Sequence, residues 1–67
     1  MNWVDGFEIR TRVDGKAIVV CANREGLLSL ANLCAALAES APGSHVHLDE
    51  YNALEEGSME LIVERSD

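Results

Sequence analysis

The stretch FEIRTRVDGKAIVVCA, residues 7–22, decides the fold. Its first half alternates between apolar or threonine side chains at odd positions and charged side chains at even positions, which is typical of a half-buried strand. Asp14 and Gly15 separate it from KAIVVCA, a second run rich in β-branched residues. An Asp-Gly pair between two such runs is the strongest short-range hairpin signal, because both loop residues of a type I′ turn need positive φ. The stretch therefore predicts a β-hairpin.

The turn also predicts a register. With Asp14 and Gly15 as the loop, the facing pairs would be Val13 with Lys16, Arg12 with Ala17, Thr11 with Ile18, Arg10 with Val19, Ile9 with Val20 and Glu8 with Cys21. Facing residues share one side of a sheet. The predicted core side then carries Phe7, Ile9, Val13, Ile18 and Val20, and the opposite side carries Arg10, Arg12, Val19 and Cys21.

An amphipathic helix is predicted to follow the hairpin. Asn23 is a good N-cap, and Glu25 in the first turn suits the helix dipole. At 100° per residue one stripe collects the apolar side chains Leu27, Leu30, Ala31, Leu33, Cys34, Leu37 and Ala38, with Leu28 as the large outlier. Pro42 and Gly43 in the segment SAPGS end the helix.

Two further strands are predicted after the helix. HVHLD would place Val46 and Leu48 inward, and SMELIVE would place Met59, Leu61 and Val63 inward, with EYNALEEG as the loop between them. The order is ββαββ. We therefore predict a single α+β domain over residues 1–67, with two layers: a four-stranded antiparallel or mixed sheet and one helix packed on one of its faces.

The uncovered face of that sheet could be a contact surface. It would present Arg10, Arg12, Val19, Cys21, His45, His47, Glu60, Ile62 and Glu64. Antiparallel sheets tolerate one wet face. The apolar members Val19, Cys21 and Ile62 either scatter harmlessly or seat a partner or a second copy. A structural accessory domain that forms a homodimer through this open face is thus one alternative function.

The charge of the chain is uneven. The net charge is −7, and residues 49–67 hold seven of the twelve acids but one of the five bases. That half would repel nucleic acid and anionic membrane and would attract a basic protein. Acidity that merely keeps a small domain soluble is the simpler explanation.

The location is expected to be cytoplasmic. Cys21 and Cys34 form neither a CxxC pair nor a disulfide framework. The N-terminal residues MNWVDGFEIR lack a basic and then apolar signal segment, and no apolar run approaches the length that spans a bilayer.

Chemical sites are weakly indicated. His45 and His47 point the same way on a strand, and Glu60 or Glu64 could add a third metal ligand, but nothing fixes that ligand. Cys34 is expected to be buried in the helix stripe, and Cys21 is expected beside Glu8, an acid that would make its thiol less reactive. We predict no enzyme activity, no catalytic residue and no cofactor, with a His-based metal-binding domain as a minor alternative.

Recognition is the best-supported chemistry. The predicted loop DEYNALEE, residues 49–56, combines four acids with a tyrosine and an asparagine. Tyrosine is large, rigid and amphipathic, and surrounding acids steer a basic partner. Leu54 is expected to plug the core, whereas Tyr51 either packs against the helix end or contacts a partner. The predicted partner-binding residues are His47, Asp49, Glu50, Tyr51, Asn52, Glu55 and Glu56.

Residues 7–65 also resemble a known kind of family. NREGLLSLANLCAALAES followed by PGSHVHLDEYNALEEGSMELIVER is similar to the small immunity-protein families of bacterial polymorphic toxin systems. The matching features are the Asn-Arg-Glu-Gly-Leu helix start, the helix of small residues and leucine, the Gly-Ser-His-x-His-Leu strand and the Glu-Gly-Ser-x-Glu-Leu entry to the last strand. The resemblance implies a cytosolic protein that binds and neutralises a cognate toxin and is not an enzyme.

Overall fold

The computed structural model describes residues 2–67 and follows the predicted order ββαββ. The elements are β1 (Ile9–Asp14), β2 (Ala17–Ala22), α1 (Arg24–Ala38), β3 (His45–Leu48) and β4 (Leu61–Glu64). The fold is α+β, as predicted. The strands form two small antiparallel sheets, β1 with β2 and β3 with β4, so the single four-stranded sheet of the prediction is not found among the described residues.

The predicted register of the first hairpin is wrong by two residues. Val13 faces Ile18, Thr11 faces Val20 and Ile9 faces Ala22. The two loop residues are Gly15 and Lys16, and Asp14 instead ends β1. Gly15 has φ +61°, and every described residue with positive φ is a glycine, so Lys16 does not have positive φ. This pattern is that of a type II′ turn, which needs glycine only at its first position and so spares Asp14 the strain of a type I′ turn.

A register shift of two residues leaves each side chain on its predicted face of the hairpin. Most of the predicted core face is nevertheless exposed. Ile9 is fully buried and Phe7 is half-buried. By contrast, Val13, Ile18 and Val20 are 57%, 75% and 40% exposed. The helix packs against the end of the hairpin that holds Ile9 and Ala22, as shown by the neighbours of Gly26. The distal half of the hairpin therefore extends into solvent with its apolar side chains uncovered.

Asn23 caps the helix as predicted and also fixes the chain before β1. Its Oδ1 accepts hydrogen bonds from the backbone N–H of Gly26, at 2.7 Å, and of Glu8, at 3.0 Å. Its Nδ2 donates to the carbonyl of Gly6 at 2.9 Å. Glu25 lies in the first turn. One side chain thus joins the start of the helix to the start of β1.

The buried face of the helix is rotated from the predicted stripe. Leu33 and Leu37 are buried and Leu30 is half-buried, as expected. The other predicted members, Leu27, Ala31, Cys34 and Ala38, are exposed, and Leu28 is exposed as predicted. Gly26 and Ser29 are buried instead. The rotation brings Gly26 against the hairpin, at a position too close for any larger residue.

Ser29 explains part of that rotation. Its hydroxyl donates to the carbonyl of Glu25 and accepts the backbone N–H of Val4, both at 2.8 Å. Its side chain is thereby satisfied although it is fully buried. The bond pins the N-terminal segment to the helix, where Trp3 and Phe7 stack at 4.8 Å between ring centroids and pack against the core.

The helix ends at Ala38 with help from a distant residue. No basic residue lies in its last turn. Arg65, just after β4, extends its guanidinium to the carbonyls of Ala38 and Ser40 and so places a positive charge at the negative end of the helix dipole. Gly43, with φ +84°, then reverses the chain as predicted, and its N–H donates to the carbonyl of Arg65.

The second hairpin has the predicted inner face with one exception. Val46 faces Val63 and Leu48 faces Leu61. Leu48 is buried and the other three are half-buried, so their inward placement is confirmed. Met59 was predicted inward and is 56% exposed. It precedes β4, in a segment that runs alongside β1 rather than β3.

This segment, Glu55–Met59, links the two sheets. The Glu55 N–H donates to the carbonyl of Ile9 at 2.9 Å, and the Met59 N–H donates to the carbonyl of Thr11 at 3.3 Å. The Thr11 N–H donates to the hydroxyl of Ser58, and its own hydroxyl donates to the Met59 carbonyl. A turn closed by Ser58 on Glu55 interrupts the ladder, which is why two sheets form instead of one.

The close approach at Gly26 yields a stability prediction. A Cβ at this position would lie 2.4 Å from the Glu8 carbonyl oxygen and 3.0 Å from both the Ala22 Cβ and the Ile9 Cγ1. Gly26→Ala should therefore lower the free energy of unfolding by about 1–3 kcal/mol, measured by urea denaturation. Alanine has the better helix propensity by about 1 kcal/mol, so a stabilised variant would contradict this packing. Ala31→Gly, at an exposed helix position, measures the propensity difference alone.

Candidate functional site

The loop between β3 and β4 is held by its own hydrogen bonds. The Asp49 carbonyl accepts the backbone N–H groups of Asn52, Ala53 and Leu54, and its carboxylate accepts that of Tyr51 at 2.9 Å. Asn52 returns the contact: its amide oxygen accepts the Asp49 N–H, and its amide nitrogen donates to the His47 carbonyl, both at 2.9 Å. Asp49 and Asn52 thus build the loop instead of offering free side chains.

The loop is also anchored at its far end. Leu54 is 5% exposed and belongs to the core, which confirms its predicted role as a plug. Glu55 is half-buried next to it, and its N–H is bonded to β1. Burial at Leu54 and the turn at Asp49 hold both ends of the segment between them. The residues they enclose are therefore presented in a defined conformation.

The outermost side chains of the loop are Glu50, Tyr51 and Glu56. They line one shallow depression, and Tyr51 is 90% exposed, so it does not pack against the helix end. The Glu50 carboxylate accepts the Gly57 N–H at 2.9 Å, which folds the acidic side chain back across the loop. An exposed aromatic ring beside two carboxylates is chemically suited to contact a basic protein surface.

His47 lies beside this loop but faces the open side of the second hairpin. Its Nδ1 is 3.4 Å from a carboxylate oxygen of Glu60, and its ring lies 5.1 Å from the ring of His45. All three side chains are exposed. Within residues 2–67 no three His, Cys, Asp or Glu side chains converge closely enough to hold a metal ion.

Two arginines border the loop, although the sequence pattern gave no sign that they lie near it. Arg10 and Arg12 line a second shallow depression together with Glu56 and Ser58. Both were predicted on the uncovered side of the first hairpin, and both are exposed. They lie next to Glu56 because the segment Glu55–Met59 runs beside β1. This contact joins distant parts of the sequence, so no local pattern encodes it. The acidic surface thus ends at a pair of bases.

The two thiols are free and exposed. The prediction that Cys34 is buried is wrong, because the helix is rotated; the side chain instead borders a depression of about 380 Å³ between the end of the helix and β4. Cys21 faces Arg10 and not Glu8, which follows from the shifted register. On the open face, Val19 is half-buried and Ile62 is 49% exposed.

A comparison with protein families decides the kind of protein. Residues 17–66 match the family described as Immunity protein 32, Imm32. The chain belongs to the Immunity protein 32 family. The matched range begins with β2 and includes the helix, the second hairpin and the whole acidic loop, whereas the resemblance noted from the sequence began earlier, at residue 7. No curated protein and no solved structure matches the chain.

Membership of this Imm32 family confirms the immunity-protein resemblance and supports a toxin-neutralising role with a protein partner in general. The family match assigns neither a toxin nor a contact residue. Among the described residues, none of the helical structure is both long and apolar enough to cross a membrane.

The frame of the loop generates a prediction. Asn52→Ala removes two hydrogen bonds that join the loop to itself and to β3, so the free energy of unfolding should fall by about 1–2 kcal/mol. The amide of Tyr51 should also exchange its hydrogen faster, measured by NMR. Asn32→Ala is the matched control, because it removes one bond to the N-terminal segment and leaves the loop intact. Equal exchange of the Tyr51 amide in both variants would contradict the proposed frame.

Proposed function

We propose that this chain is a non-enzymatic inhibitor that binds a cognate bacterial toxin and neutralises it. The family match supports a protein partner of this general kind. The proposed contact surface is the predicted set around the acidic loop, with Glu50, Tyr51 and Glu56 as direct contacts and His47 and Glu55 at its border. Asp49 and Asn52 are proposed to act through the conformation of the loop.

The observation that carries this proposal is the placement of Tyr51. The Asp49 carboxylate and the buried Leu54 fix the backbone on both sides of this exposed tyrosine. Because this backbone is already ordered, binding at the exposed Tyr51 would cost side-chain entropy but little further backbone entropy. Tyrosine is also one of the residue types enriched among those that dominate the binding energy of protein interfaces.

Electrostatics supports a basic toxin. Residues 49–67, which include the loop and β4, carry seven of the twelve acids and one of the five bases, so they would accelerate the approach of a basic surface. Arg10 and Arg12 next to Glu56 add a local reversal of sign. A complementary toxin surface would therefore be basic opposite Glu50 and Glu56 and acidic or neutral opposite the arginines. Binding there would occlude the active site of the toxin in the cytoplasm of the producing cell.

Tyr51→Ala tests the central contact. Binding to the cognate toxin should weaken by about 2 kcal/mol, or about thirtyfold in Kd, measured by isothermal titration calorimetry. The thermal unfolding temperature should not change, since the side chain is almost fully exposed.

Ile62→Ala is the matched control, because it shortens a half-exposed side chain on the open sheet face. It should leave the toxin affinity unchanged. The loop is not the contact surface if Tyr51→Ala binds like the wild type, and a larger loss with Ile62→Ala would move the contact to the open face.

Charge reversal tests the steering. Glu50, Glu55 and Glu56 replaced together by lysine should slow association and flatten its dependence on salt concentration, measured by stopped-flow fluorescence. The control is Glu64→Lys combined with Glu39→Lys and Asp5→Lys, which changes the net charge equally at exposed positions outside the loop. Similar effects of the two triple variants would show that overall acidity, and not the loop, steers the partner.

A further inference from the structure

The outer edge of β2 is open. β2 pairs with β1 along one edge, and within residues 2–67 no other backbone segment or side chain is hydrogen-bonded to Ala17–Ala22. The corresponding outer edge of β1 is different, because Glu55–Met59 bonds to Ile9 and Thr11 there. The chain thus bonds to one edge of the first hairpin, at Ile9 and Thr11, and leaves the other edge free.

The alternation of an antiparallel ladder identifies the free groups. Residues that exchange hydrogen bonds within a pair alternate with residues whose N–H and C=O point outward. Ile9 and Thr11 point their backbone groups away from β2, toward Glu55 and Met59. Their partners Ala22 and Val20, together with Ile18, then point theirs toward the free edge. Six backbone groups thus stand in a row, centred on Val20.

This edge has none of the features that usually keep strand edges apart. Strand edges are commonly protected by lysine, proline, bulges or inward-pointing charges. β2 has the sequence AIVVCA, with no charge and no proline, and it pairs without a bulge. Ile18 is 75% exposed and Val20 is 40% exposed. Backbone groups and apolar side chains are therefore available together.

We infer that a second copy of this chain pairs with β2 along this edge, antiparallel and with Val20 on the two-fold axis. In this register Val20 faces Val20 of the other copy, and Ile18 faces Ala22. All six outward groups of each chain are then paired, and no other antiparallel register satisfies them all. The two hairpins become one continuous four-stranded sheet with the helices of both copies on the same side.

The side chains also suit a second copy. On the other face, Val19 meets Cys21 of the partner, so every facing pair between the two β2 strands is uncharged and like charges never oppose each other. The acids of the chain are concentrated after residue 48, whereas β2 is neutral. A strand edge is thus the part of this −7 chain where two copies meet without acidic repulsion.

The geometry separates this contact from the acidic loop. β1 lies between β2 and Glu55–Met59, so the free edge and the loop are on opposite sides of β1. A dimer through β2 would leave both acidic loops accessible. The inference is therefore independent of the proposed toxin binding.

The expected dimer is weak. A strand of six residues spans about 20 Å, and its edge offers less area than the roughly 800 Å² per partner of a standard stable interface. Self-association should thus be seen by sedimentation velocity at high micromolar concentration, as a shift from a 7.3 kDa species to one of twice that mass. A wild-type chain that remains a monomer throughout this range would overturn the inference.

Val20→Pro is the most selective variant. Proline removes an outward N–H, which makes no bond within the hairpin, and edge strands accept proline at such positions. The Kd for dimerisation should rise by at least about tenfold. Ile18→Lys is the second edge variant, should proline disturb the fold. Val13→Lys is its matched control, because Val13 faces Ile18 on the same side of the hairpin but lies on β1, and it should leave dimerisation unchanged.

Disulfide cross-linking tests the register. In a Cys34→Ser background, Val19→Cys should form a disulfide with Cys21 of the other copy under mild oxidation with copper phenanthroline, detected by peptide mapping. Ile62→Cys in the same background reports a dimer through the open face, and it should give no such cross-link. Cross-linking of the Ile62→Cys variant alone, or protection of β2 amides that appears only when toxin is added, would overturn the inference in favour of another occupant.

Discussion

The outer edge of β1 is the constraint on which the arrangement of this chain depends. The backbone groups of Ile9 and Thr11 point away from β2 while their side chains are buried, and a buried backbone group without a partner would cost free energy. The segment Glu55–Met59 bonds to the carbonyls of Ile9 and Thr11 and to the Thr11 N–H, and the Thr11 hydroxyl adds a fourth hydrogen bond by donating to the Met59 carbonyl. Because this segment includes the end of the acidic loop and leads toward β4, the same contacts place the loop and join the second hairpin to the first.

The position of the acidic loop therefore follows from packing and not from the loop alone. Leu54 is buried in the core, and the next residue, Glu55, bonds to Ile9 of β1. In the preceding turn the Asp49 carbonyl accepts three backbone N–H groups. Tyr51 lies between these two points and is exposed to solvent. A chain of 67 residues buries a small core, and hydrogen bonds together with one buried leucine hold this loop to it.

Much of the local structure could be predicted because it depends on neighbours in the sequence. Asn23 begins the helix, Gly43 reverses the chain, and the alternation around Val46 and Leu48 gives the inner face of the second hairpin. The predicted turn was wrong by one loop position. The predicted loop Asp14-Gly15 and the observed loop Gly15-Lys16 both contain the glycine that the turn requires, so the sequence pattern fits either. Only the strain of positive φ at Asp14 distinguishes them.

The sequence by itself thus determined the order of the elements, the side of each strand that carries apolar residues, and an acidic loop bearing a tyrosine. Tertiary structure alone decided which of those apolar residues are covered. Gly26 and Ser29 rather than Leu27 and Cys34 face the core, because the hairpin approaches too closely for a larger side chain and the Ser29 hydroxyl bonds the N-terminal segment. Arg65 caps a helix that ends 27 residues earlier, and Arg10 and Arg12 border the loop. These contacts join distant parts of the chain, and local periodicity carries no information about them.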